Sequence, residues 1–330
     1  MKTCFLNLAA SCLLFASGAV IAESTQNGVH LLERMSHSVQ EQSYDGVFVY
    51  KRGDETGVVR VIHVVKDGKE KERVIHLDGP TRELVLGAHD IGCVHSGARL
   101  LRAPVAKPSN AAGHPYDAEH SSKLSRYYAF KLTGKSRVAG RPVTKLQIEP
   151  RDEQRLGYHL YLDKQSDLLL KSAIVDSKRQ VLESFKFTQI KIGDAVNEED
   201  LQPESKTAKV SEYHSLSKPN KSASASGEVA WRAAWIPDGF VMAADAQRKL
   251  GDGNMDSMHY TDGLAMFSVF VEPAKEPTPI FEQRQGSTVL YSESKRDGAN
   301  WHTVTVVGEV PPSTAKDIAK GVRPNEVLAQ

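Results

Sequence analysis

The sequence predicts a mainly β protein of the α+β kind, divided into two domains, and three observations predict it. Strand-like runs bounded by turn residues recur at short intervals through most of the 330 residues. One polar stretch, 203–227, rich in Lys, Ser and Ala at its end, has nothing to bury and reads as a linker. Several strands are also apolar on both parities. In "YDGVFVYKRGDETGVVRVIHVV", Tyr44 to Val65, Val47 and Val49 point one way while Phe48 and Tyr50 point the other. The next strand repeats this with Val58, Val59, Val61, Ile62, Val64 and Val65. A half-buried strand needs only one apolar face, so something must cover the second.

Each element follows in order. Residues 1–22 read as a signal peptide, with Lys2 as the charged start, an apolar run from Phe5 to Ile21 and small residues before Ala22. An uncleaved membrane anchor is the alternative. "NGVHLLERMSHSVQEQ" then places Leu31, Leu32, Met35 and Val39 at helical spacing. Strand patterns follow: "KERVIHL" before the turn Asp78-Gly79-Pro80, then "TRELVLG" and "DIGCVHSG". Residues 103–122 show turn and small residues without periodicity and are expected to form a long loop. "SRYYAFKL", "RPVTKLQIEP", "GYHLYLD", "LLLKSAIVD" and "VLESFKFTQIKIG" resume the meander. Ten or eleven strands of this kind make an antiparallel sheet that curls or closes. The domains are thus 23–202 and 228–330. In the second, further strands with Asp-Gly turns end in "PSTAKDIAKG", a short helix with Ser313 as its expected N-cap.

Composition excludes several function classes. The chain has 42 basic and 41 acidic residues; loss of Lys2 with the leader brings the charge to zero, which argues against nucleic-acid binding. Cys4 and Cys12 leave with the leader, so Cys93 stands alone and no internal disulfide forms. His89, Cys93 and His95 lack the fourth ligand of a zinc site, and no metal or other cofactor is called for. The stretch from Asp252 to Gly263 has Asp252, Asn254 and Asp256 at calcium-loop spacing but Ser257 and Gly263 where that loop needs Gly and an acid, so a hairpin loop is expected. Hydrolase, zinc-protease and P-loop patterns are absent, which puts an enzyme last among the readings. A run of seven basic residues from Lys123 to Lys145 contains no acid; Arg126, Lys131, Arg137 and Arg141 are candidates for an anionic group, against a plain solvated strand face.

The N-terminal helix cannot cover so large a sheet, which points to a half-open barrel with spare apolar interior. A partner protein or a lipid are the other possible covers. Each buried methylene is worth about 0.8 kcal/mol, so an acyl chain would bind there. By aromatic bulk, the face of Phe48 and Tyr50 is expected to line the interior with Val59, Val61, Tyr158 and Leu160. Long unpaired edges make a homodimer an open possibility.

"SYDGVFVYKRG", "RVIHVVKDGKEKERVIHLDGPTRE", "RVAGRPVTKLQIEPRD", "GYHLYLD", "LLLKS" and "VLESFKFTQI", followed by "WIPDGF", "HYTDGLAMFSVFVE" and "GEVPP", resemble in this order the RseB/MucB family of periplasmic sigma-E regulatory proteins. The resemblance implies a LolA-like half-open barrel with helices in its mouth and a smaller C-terminal domain. It also implies a function: gripping the periplasmic part of a membrane-spanning anti-sigma factor of the RseA/MucA kind, shielding it from regulated proteolysis, and letting go on a lipid or lipopolysaccharide signal. Tyr161 stands where the family pattern has Trp. Tyr291 and Trp301 are candidate anchors for the partner, with core packing as the plainer role. A periplasmic lipid or lipoprotein carrier is the alternative function.

Overall fold

The computed structural model describes residues 16–80, 83–87, 118–193, 196–202, 229–250 and 253–325. The long helix α1 (Ala16–Glu41) leads into strands β1 (Tyr44–Arg52), β2 (Glu55–Lys66), β3 (Lys69–His76) and β4 (Glu83–Gly87). Helix α2 (Ala118–Tyr127) then precedes β5 (Tyr128–Val138), β6 (Arg141–Pro150), β7 (Gly157–Asp163), β8 (Leu169–Val175) and β9 (Val181–Ile192). All nine strands form one antiparallel sheet in the order β4-β3-β2-β1-β9-β8-β7-β6-β5. Because β4 and β5 are its two ends and do not pair, the curled sheet stays half open. The sequence reading of ten or eleven strands exceeds the nine among the described residues, and "DIGCVHSG", with Cys93 and His95, lies outside them, as does His89.

Helix α1 fills the concave side. Leu31, Leu32, Met35 and Val39, at successive helical spacings, are all buried against Phe48, Val59, Val61, Leu146, Ile148, Tyr158 and Leu160 of the sheet. Gly28 lets the helix approach β5: an added Cβ would sit 2.7 Å from Cβ of Phe130. The outer parity of β2 has a different cover. Ile62 and Val64 pack with Ile75, Val196 and Leu201, the last in a 3₁₀ turn (Glu198–Leu201) that closes the first domain. That turn is pinned by Arg73, whose Nη1 donates to the carbonyl of Asp200 at 2.7 Å, and by Lys66, whose Nζ donates to Glu198 at 2.7 Å. The doubly apolar strand is therefore answered by the helix-bearing core on one side and by the 3₁₀ turn at the end of the first domain on the other.

The second domain begins after the polar stretch, whose residues 203–228 lie outside the described ones. A six-stranded antiparallel sheet runs β11-β12-β13-β16-β15-β14, comprising β11 (Val241–Leu250), β12 (Gly253–Thr261), β13 (Met266–Ala274), β14 (Phe281–Gln285), β15 (Thr288–Asp297) and β16 (Asn300–Gly308). Helix α3 (Pro312–Gly321) covers one face with Ala315, Ile318 and Ala319, and the strand pair β10 (Trp231–Ala233) and β17 (Val322–Pro324) closes the core.

Three sequence expectations need correction. Residues 118–122 are helical, and α2 also takes in Ser125–Tyr127, expected as strand: Leu124 is buried against the core, so packing overrides the β propensity of Tyr127. The stretch from Asn254 to Thr261 is a full strand, not a hairpin loop. Asp256 within it is a buried acceptor, taking the amides of Ala230 at 2.6 Å and Trp231 at 3.0 Å and the side chain of Gln247 at 2.8 Å. The last helix is started by Pro312 after Pro311, without a side-chain cap, rather than by Ser313.

Leu32, with no exposed surface, and Leu77, half exposed, calibrate this core. Leu32→Ala is expected to lower the unfolding free energy by about 2–5 kcal/mol, and Leu77→Ala by no more than about 0.5 kcal/mol. Urea denaturation of the two variants checks both.

Candidate functional site

The interior residues come together as the sequence suggested, but as solid core. Phe48, Tyr158 and Leu160 have no exposed surface, Val59 and Val61 almost none, and only Tyr50 is part-exposed. Phe48 lies edge-on to Phe185 and Phe187, at 5.9 and 5.5 Å between ring centres. Within the described residues these side chains and Leu31, Leu32, Met35 and Val39 of α1 form one hydrophobic core. A buried polar pair sits among them. His63 of β2 faces Glu72 of β3, Nδ1 to Oε2 at 3.4 Å, and stacks on Tyr44 at 4.9 Å. Sequence reasoning missed this pair, although the register that joins β2 and β3 through Asp67-Gly68 puts the two residues directly opposite.

A second polar cluster lies where the domains meet. Arg155, in the loop between β6 and β7, is almost wholly buried. Its Nε donates to Oδ2 of Asp262 at 2.9 Å, its Nη1 to Asp152, and its Nη2 to the carbonyl of Asp238. Its guanidinium plane lies 4.6 Å from the Tyr127 ring and 5.1 Å from Phe240. Asp262, in the turn between β12 and β13, also accepts from the Tyr128 hydroxyl at 2.8 Å and, through Oδ1, from the amides of Leu264 and Ala265. Burial, with Asp262 beside it, pushes the Tyr128 phenol well above its usual range, so it remains a neutral donor. Gly239, at φ 86°, lies flat against the Tyr127 ring where any side chain would collide. Leu264 from the same turn joins the first domain's core.

The second domain touches the first again through the β14–β15 turn. Glu183 Oε2 accepts from Ser287 Oγ at 2.8 Å, and Arg52 Nη2 donates to Thr288 Oγ1 at 3.3 Å. The geometry is that of two sheets locked side by side. What it can do chemically is hold a pose and present surface.

The basic run does not assemble as one patch. Arg126 is on α2 and Arg137 on the exposed end of β5. Lys131 is bound by Glu149, and Arg141 grips Asp163 with two bonds of 2.7 and 2.9 Å. Its residues alternate faces and are half neutralised by the neighbouring strands. Of the two aromatic candidates in the second domain, Tyr291 is core, with its hydroxyl donating to Glu293 at 3.1 Å. Desolvation and that carboxylate push its phenol up to about 12. Trp301 is part-exposed on β16, 5.7 Å below the Arg296 guanidinium.

Fold and junction together define a two-domain, mainly β protein whose domains are joined by a buried polar contact. Comparison with known proteins gives the family. The MucB/RseB N-terminal domain model matches residues 27–205 and the MucB/RseB C-terminal domain model residues 225–323. The chain belongs to the MucB/RseB family. It is 35% identical over 324 residues to the sigma factor AlgU regulatory protein MucB of Pseudomonas aeruginosa, covering 96% of this chain and 97% of that protein. It is 29% identical to the sigma-E factor regulatory protein RseB of Escherichia coli, covering 96% of each. The solved complex structure of Pseudomonas aeruginosa MucA/MucB superposes with a TM-score of 0.72 at 32% identity, covering 91% of this chain and 99% of that chain.

Two outcomes follow from these side chains. Asp262→Ala strands the buried Arg155 charge and is expected to cost about 3–5 kcal/mol of stability, most of it recovered when Arg155→Met is combined with Asp262→Leu; chemical denaturation of the single and double variants decides. Burial alone would raise the Asp163 carboxyl, but the bonds from Arg141 and the Ser166 and Gln165 amides outweigh it and hold the group below its usual value. A depressed folded-state pKa means stability that is present above the unfolded value and lost as pH falls through the folded one. Asp163→Asn should therefore be less stable than the parent above about pH 5, the gap closing below about pH 3, as read from thermal melts across pH.

Proposed function

We propose that this protein is a periplasmic negative regulator of a sigma-E-type envelope stress response. It acts by binding the periplasmic part of a membrane-spanning anti-sigma factor and shielding it from regulated proteolysis, without catalysis of its own. The observation that carries this reading is likeness through both domains at once: about a third of the residues are identical to those of a MucB solved in complex with MucA. Among the described residues no helix is long and apolar enough to cross a membrane.

The physical logic is one of access. A protease needs an extended, reachable segment, and a segment folded onto a partner is not reachable. Release by lipid or lipopolysaccharide requires that the lipid prefer a state that binds the segment poorly, with a reciprocal coupling of a few kcal/mol. Phe48, Tyr50, Val59, Val61, Tyr158 and Leu160 remain the proposed lipid contacts. Since α1 already covers them, an acyl chain would enter by displacing Leu31, Leu32, Met35 and Val39. Lipid entry and the loss of α1 packing are then one event, and the shift of the sheet edges and of the α2 end of the junction follows from it.

Deleting the gene is expected to speed cleavage of a single-pass inner-membrane anti-sigma factor that co-purifies with the protein. An unchanged cleavage rate would overturn the regulatory role, and tight lipid binding with no such partner would mark a carrier instead.

A further inference from the structure

The outer face of the nine-stranded sheet carries a row of like charges that neither the core nor the junction uses. Lys145 of β6 stands opposite Tyr161 of β7, Tyr161 opposite Lys171 of β8, and Lys171 opposite Lys186 of β9. Directly paired residues project from the same face, so the four form a line across the strands. The Lys171 and Lys145 ammonium groups lie 4.6 and 5.7 Å from the Tyr161 ring centre. The line continues into Val49 of β1 and Val58 of β2, both part-exposed.

Like charges directly opposite destabilise a sheet, and here Lys171 faces Lys186, with the Tyr161 ring offsetting part of the charge of Lys171 and Lys145. The acids of this face are engaged elsewhere: Glu149 with Lys131 and Arg179, Asp163 with Arg141, Asp45 with Arg60. None of the three lysines makes an ion pair with a described residue. Burial first, and then the positive field of Lys145, depress the neighbouring His159 imidazole, with Glu149 opposing.

We propose that this row binds an extended acidic peptide, with carboxylates over Lys145, Lys171 and Lys186 and apolar residues following over Val49 and Val58. The row's length selects the ligand. Three strand steps span about 14 Å, which is four or five residues of extended chain. One phosphate group is too small to meet more than part of it. Lysine at every cationic place suits spaced carboxylates met as point charges, where bidentate recognition would favour Arg. The inference rests on the reading above in that the peptide would belong to the anti-sigma partner.

The test uses the full chain without its leader and a fluorescein-labelled peptide, Glu-Asp-Glu-Asp-Glu-Val-Ile-Val, followed by anisotropy. The parent should bind it with an affinity that falls as salt is raised. The triple variant Lys145→Gln, Lys171→Gln, Lys186→Gln should bind about tenfold more weakly and with less salt dependence, while the corresponding triple Arg variant retains binding. Melting curves confirm that the variants, changed only at side chains outside the core, stay folded. Equal affinity of parent and Gln variant, or no binding by the parent, overturns the proposal. So does lysine-dependent binding to phosphatidic acid vesicles without peptide binding, which would make the row a lipid-phosphate surface. Capture of an anti-sigma periplasmic domain by the parent is scored separately: its failure counts against the regulatory role and leaves the peptide result standing.

Discussion

A guanidinium removed from water fixes how the two domains stand to each other. Arg155 belongs to the first domain and its main carboxylate partner, Asp262, to the second. Taking both out of water costs several kcal/mol per charge before any attraction is counted. The cost is offset only in the one arrangement that also supplies Asp152, the Asp238 carbonyl, the Tyr128 hydroxyl and two aromatic faces. Any relative rotation that loses some of these leaves a buried charge under-satisfied, so the junction acts more as a selector of pose than as a source of stability. Everything a partner could grip across both domains depends on that selection.

The first domain solves a different problem, that of strands greasy on both sides. Its inner parity is met by α1, laid close against β5 through Gly28, and the outer parity of β2 by Leu201. Both covers lie at the ends of the domain, and α1 contributes no strand hydrogen bonds to the sheet. Removing it would expose apolar surface without breaking a backbone ladder.

Much of this was legible in the chain, unevenly. Alternation and turn residues located β1, β2, β6, β7 and β9, and helical spacing found the packing half of α1, because those signals are local. The doubly apolar parity of β2 rightly announced a second cover but could not name it, since Leu201 lies well over a hundred residues away. Arg155 and Asp262 gave no signal at all: each is an ordinary charged residue beside a turn, and only tertiary burial makes them a pair. The basic run from Lys123 to Lys145 misled for the complementary reason. Proximity along the chain brought together residues that strand alternation and an intervening helix then sent to different faces, while Lys145, Lys171 and Lys186 met only through register.

The junction's carboxylate sits in a four-residue connection, Asp262-Gly263-Leu264-Ala265, between neighbouring strands of the second domain. Angular information for a body of roughly a hundred residues is thus held largely in two hairpin tips, this one and the β14–β15 turn. In a domain-exchange experiment the graft would need to carry that tip, the Asp238–Phe240 stretch and the β14–β15 turn, together with the first-domain residues that receive them, to reproduce the parental orientation. Divergence elsewhere in such a protein is free to retune what is held without disturbing how the holder is aligned.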